Sequence, residues 1–85
     1  MADLPSRALL EAALAAAETA HAEYERIVLK GVADNQWPGF FAAYVLGRLG
    51  EFTPASRLAI LIEEVDAAGD WPGAAADHVL MKLRS

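Results

Sequence analysis

A chain of 85 residues is sized for one domain, and its hydrophobic content of 55% is high for a soluble one. Seven Lys and Arg against twelve Asp and Glu give a net charge of -5 and a pI near 4.8. That balance argues against nucleic acid and anionic membrane surfaces, which both need cations laid over phosphates. The absence of cysteine removes disulfides and thiolate chemistry.

The chain is punctuated by proline and glycine. Pro5, Pro38, Pro54 and Pro72 suit helix starts, where a missing N–H is not needed. Gly31, Gly50 and Gly69 suit helix ends, where the backbone turns to positive φ. Asp3, Asn35, Thr53 and Asp70 lie just before the prolines and are types that accept bonds from free N–H groups. No period-two alternation competes with this reading. The expectation is an all-α fold: a compact bundle of four helices over residues 5–30, 38–49, 54–68 and 72–84, one long N-terminal helix packed by three shorter ones, in a single domain over residues 1–85.

In the first helix an apolar stripe at helical spacing holds Leu9, Leu10, Ala13, Leu14, Ala17, Ala20, His21, Tyr24, Ile27 and Val28. At 1.5 Å per residue this helix is about 39 Å long. Its overhang beyond the shorter helices is a natural place for dimer contacts. In the third helix Leu58, Leu61, Ile62 and Val65 share a face and Ile60 falls away from it.

The second and fourth helices open alike. Trp37-Pro38-Gly39 recurs 34 residues later as Trp71-Pro72-Gly73, using both tryptophans of the chain. Ala42, Val45, Leu46 and Leu49 match Ala76, Val79, Leu80 and Leu83 at the same offset. What repeats is therefore a helix with its starter. Proline fixes the first turn, the indole folds back as a hydrophobic staple, and Gly39 and Gly73 leave it room. The other reading is a pair of aromatic walls around a ligand. A tetratricopeptide array also has a 34-residue period, but it needs about three repeats to close a core.

Candidates for chemistry are few. Glu18, His21 and Glu25 share a face of the first helix, and Glu18 to His21 has the Glu-x-x-His form of di-iron bundles. The second copy is missing, since no Glu lies three residues before His78. A mononuclear site from His21, His78 and a carboxylate such as Glu63 or Glu64 is a narrow alternative. The simpler reading lets His21 top the apolar stripe beside Tyr24 and bond a neighbour. Ser6, Ser56 and Ser85 do not sit in a nucleophile elbow, and no glycine-rich phosphate loop exists. Size and charge resemble those of acyl carrier proteins, but Gly39-Phe40-Phe41 stands where their Asp-Ser-Leu would open the second helix. A helix-turn-helix over Tyr44 to Glu64 would put Glu63, Glu64 and Asp66 toward phosphates. No catalytic residue, metal ligand or cofactor is assigned.

The stretch His21-Ala22-Glu23-Tyr24-Glu25, with Trp37-Pro38-Gly39-Phe40-Phe41-Ala42-Ala43-Tyr44, resembles small uncharacterised bacterial all-helical proteins with a Trp-Pro-x-aromatic-aromatic-Ala motif. The resemblance spans residues 21–49. Gln36 and the Phe40-Phe41 pair depart from the usual pattern. It implies a fold and no activity.

If the first two helices pack antiparallel, Tyr24, Trp37, Phe40, Phe41 and Tyr44 gather near His21. Such a cluster is an aromatic core, a ligand pocket or a partner surface. Phe40 and Phe41 lie about 100° apart on a helix and need not share one environment. The expected function is a non-enzymatic protein–protein interaction or oligomerisation module, a homodimer or a binder of another protein. Trp37, Phe40, Phe41 and Tyr44 are its contact residues, with Tyr24 and His21 beside them. The alternative is a small-molecule or metal-binding bundle using His21, Tyr24, Glu25 and His78. Met1-Ala2-Asp3 carries no secretory signal and no stretch is apolar enough for a bilayer, so a cytoplasmic location is expected.

Overall fold

The computed structural model describes residues 3–84; Met1, Ala2 and Ser85 of the readings above lie outside the described residues. Four helices form: α1 (Arg7–Ile27), α2 (Trp37–Leu49), α3 (Ala55–Glu63) and α4 (Trp71–Arg84). There is no strand among the described residues. The Cα radius of gyration is 12.3 Å, against about 12 Å for a compact chain of this length. No helix among the described residues is long and apolar enough to cross a membrane.

The helices form a ring. α1 packs on α2 and α4, and α3 packs on the same two. α2 and α4 therefore occupy one diagonal, with no close backbone approach between them. The core takes Leu10, Ala13, Leu14 and Ala17 from α1, Phe41, Ala42 and Val45 from α2, Leu58, Leu61 and Ile62 from α3, and Ala75, Ala76, Val79 and Leu80 from α4. The 34-residue correspondence survives in three dimensions. Ala42 and Ala76 are buried, as are Val45 and Val79, while Leu49 and Leu83 both pack partly buried against the core. Phe52, in the α2–α3 connection, is buried as well, though no helical period marks it in the sequence.

The starts and stops differ from the sequence reading in instructive ways. The α1 cap is Ser6, whose Oγ accepts from the Leu9 N–H at 3.2 Å; Asp3 is exposed coil. α1 ends at Ile27, three residues before the expected end, because its last turn widens. The Leu29 N–H reaches back to the Tyr24 carbonyl at 3.2 Å and the Gly31 N–H to that of Glu25 at 2.9 Å, with Lys30 and Gly31 both at positive φ. α3 stops at Glu63, five residues early. The Trp71 indole N–H takes the Val65 carbonyl at 3.1 Å, a bond that closes the end of this helix from outside. Gly31, Gly50 and Gly69 all adopt positive φ, so the glycine stops lie where the backbone turns even where the helix has already ended.

Among the expected caps, only Asp70 serves. Its Oδ1 accepts from the Gly73 N–H at 3.1 Å and its carbonyl from the Ala74 N–H at 3.1 Å. Gln36 and Pro54 precede α2 and α3 without a side-chain cap, and Thr53 is buried. This asymmetry corrects the role given to the two glycines. A Cβ on Gly73 would collide with the Asp70 carboxylate and meet the Arg7 guanidinium at 3.0 Å, whereas a Cβ on Gly39 would touch nothing within 4 Å. Gly73 makes room for the cap and for Arg7 rather than for an indole.

Equivalent substitutions in the two tripeptides should therefore have opposite signs. Gly39→Ala should stabilise by about 0.5–1 kcal/mol through helix propensity. Gly73→Ala should destabilise by about 1 kcal/mol as the cap is displaced. Thermal melts of the two variants check this, at roughly 4–8 °C per kcal/mol for a domain of this size.

Candidate functional site

The end of α1 and the start of α2 are joined by a polar clamp. His21 is buried on α1, and its Nε2–H donates to Asp34 Oδ2 at 2.9 Å. The Asp34 backbone N–H donates to Glu25 Oε2 at 2.9 Å, and the Gln36 N–H donates to Asp34 Oδ1 at 2.9 Å. Glu25 Oε1 lies 3.9 Å from His21 Nδ1. One loop carboxylate thus receives the imidazole and folds the backbone into the turn that starts α2. The His21 hydrogen bond, followed by that of the Gln36 N–H, holds the Asp34 carboxyl below its usual range.

Around the clamp lie the aromatic residues of the sequence reading. The His21 ring meets Phe40 edge-on at 4.9 Å and Phe41 at 5.3 Å, and Tyr24 lies 5.3 Å from Phe40. Phe40 stacks on Tyr44 at 6.5 Å, and Arg48 donates to the Tyr44 hydroxyl at 3.3 Å. The two phenylalanines do take different environments. Phe41 is 6% exposed, while Phe40, Tyr24, Tyr44 and Trp37 are half-buried. Phe41 therefore belongs to the core, and the contact role expected of it has no exposed ring to rest on.

The structure does not bring the histidines to one site. His21 pairs with Asp34 and Glu25, whereas His78 Nε2 lies 2.8 Å from Glu64 Oε1. No group of three or more His, Asp and Glu among the described residues is placed to hold a metal ion. Ser6 is spent on capping α1, and Ser56 is exposed in the first turn of α3.

On the far side of Phe41 the two tryptophans meet. Trp37 and Trp71 lie 5.9 Å apart between ring centres at 76°, Trp37 and Phe41 5.3 Å apart at 77°, and Phe41 and Trp71 5.5 Å apart at 87°. Rather than stapling its own helix alone, each indole reaches across the bundle diagonal. These three residues and Glu18 line an open cleft of about 240 Å³. Asp34 and Glu18 are the participants that sequence reasoning left without a role. The Asp-x-Gln spacing before Trp37 is the one signal for the former; for the latter only the topology could supply one.

In comparisons with protein-family models, with curated proteins and with solved structures, nothing matches this chain.

Two outcomes test the clamp. His21→Ala leaves the carboxylates of Asp34 and Glu25 without their imidazole and a gap beside Phe40 and Phe41, so it should cost about 1–3 kcal/mol. Denaturant unfolding measures this. For Asp34 the folded value lies below the ordinary 3.8, so its contribution is complete above that pH and fades as pH falls through the lowered value. The stability gap between wild type and Asp34→Asn should be widest above pH 4 and close as the solution is acidified further, which unfolding curves on both proteins across that range would reveal.

Proposed function

We propose that this chain is a non-enzymatic protein–protein interaction module that associates with a second copy of itself, in the cytoplasm of a bacterium. The observation that carries the reading is one continuous apolar band. Ile27, Val28 and Val32, at the end of α1, are 56%, 58% and 66% exposed. Tyr24, Ile27 and Val28 stand at i, i+3 and i+4 and share a helix stripe. Tyr24 packs on Phe40 and Phe40 on Tyr44, which continues the band onto α2. The clamp at His21 and Asp34 fixes the turn between the two halves.

The contact residues favoured by this geometry are Tyr24, Ile27, Val28, Phe40 and Tyr44, with Trp37 and Phe41 behind them as support. Charge favours a second copy at this face. Two chains of net charge -5 repel, except where cations gather. Arg26 and Lys30 flank Ile27 and Val28, and Arg48 bonds Tyr44, so three of the seven basic residues edge the band. A chain of this length buries a modest share of its surface alone, which adds reason to associate. The engagement of both imidazoles by carboxylates supports the non-enzymatic part of the reading. The bacterial origin rests on the sequence resemblance, and the cytoplasmic location on the acidic, cysteine-free composition.

Sedimentation equilibrium of the wild type should fit a reversible dimer. The double variant Ile27→Lys, Val28→Lys removes buried aliphatic area from both copies and adds like charge, and should weaken the dimer at least about a hundredfold with unchanged helical circular dichroism. A wild type that sediments as a monomer at every concentration would falsify the self-association.

A further inference from the structure

We infer that the cleft walled by Trp37, Phe41 and Trp71, with Glu18 at its rim, binds the alkylated ammonium head of an organic cation. The inference goes beyond the self-association reading and uses a different face. Three rings set at 76° to 87° to one another form a corner of near-perpendicular walls. A cation that faces such walls sits over several ring faces at once, within the distance of about 6 Å at which the ring quadrupole attracts it. Tryptophan, which supplies two of the three walls, is the strongest aromatic for this purpose.

The charge inventory of the cleft selects the sign of the ligand. Glu18 is the only charged residue lining it. Its side chain is on an exposed residue and has no hydrogen bond or ion pair among the described residues. The starts of α2 and α4 border the cleft, yet their N–H groups are taken. Those of Gly39 and Phe40 bond the Gln36 carbonyl, those of Gly73 and Ala74 bond Asp70, and that of Trp71 bonds the Gly69 carbonyl. Pro38 and Pro72 have none to offer. The Trp71 indole N–H is held by the Val65 carbonyl. An anion or a sugar would find few donors there, whereas a methylated ammonium needs none: it asks for π faces and a nearby carboxylate.

Both tryptophans of the chain line the cleft, so the full-length protein reports on binding by its own fluorescence. The experiment titrates choline chloride at constant ionic strength, beside 3,3-dimethylbutan-1-ol, which has the same shape without the charge. The expected result is a saturable emission change with choline and a response at least roughly tenfold weaker with the alcohol. Glu18→Gln, an exposed substitution whose folding circular dichroism verifies, should weaken choline about two- to fivefold. A peptide bearing trimethyllysine distinguishes the source of the head group: tighter binding than choline assigns it to a protein side chain, equal binding to a free small molecule. No saturable response to choline, or an equal one to the alcohol, overturns the proposal. An unchanged choline affinity in Glu18→Gln overturns the part given to the carboxylate.

Discussion

Phe41 is the side chain on which the arrangement depends. Its ring touches His21, Trp37, Phe40 and Trp71, and so joins the polar clamp on one side to the tryptophan pair on the other. Each such edge-to-face pair is worth about 0.5–1.5 kcal/mol beyond its buried area. The four together matter more by position than by sum. α2 and α4 make no close backbone approach, and the ring contacts of Trp71 with Trp37 and Phe41 bridge that diagonal near the starts of both helices. With small side chains such as Ala42, Ala75 and Ala76 lining so much of the core, large rings must supply the contact area that alanine does not.

The clamp does a complementary job with polar groups. A nine-residue connection over residues 28–36 must leave α1, reverse and enter α2. Left to its sequence, it has a positive-φ non-glycine residue at Lys30 and no cap on α2, neither of which favours one conformation. Asp34 compensates by accepting from both the His21 imidazole and the Gln36 N–H, while its own N–H is held by Glu25. The orientation of α2, and with it the placing of Phe40 and Phe41, follows from a carboxylate in the loop rather than from anything within the helix.

How far the sequence could be read follows from which forces are local. Proline and glycine act on their own backbone, so the number and order of helices and the positive φ at Gly31, Gly50 and Gly69 were legible. The buried faces of α1 and α3 were legible through their period, down to the outward position of Ile60. Helix ends were not, because distant partners decide them: Trp71 closes α3 through Val65, and Asp34 with Glu25 shapes the exit from α1. The same holds for the site. The neighbourhood of His21, Tyr24, Phe40 and Phe41 was foreseeable from an antiparallel α1–α2 pair. The meeting of Trp37 with Trp71 was not, since it depends on the closure of four helices into a ring.

That closure also explains why an identical tripeptide need not perform an identical task. In both copies proline sets the first turn and tryptophan points to the diagonal. Yet only the second copy has an aspartate cap, a glycine that must stay small, and an indole whose N–H is committed to a neighbouring helix. Trp71 is thereby fixed by a hydrogen bond and by two ring contacts, while Trp37 is held by ring contacts and the turn that Asp34 builds. Rigid walls with their own polar groups satisfied are what a cation-binding corner requires, because a free indole or amide donor would compete for the acceptor at its rim. The repetition in the sequence thus reflects one way to start a helix, and the difference between the copies reflects what each start does once the two are brought face to face.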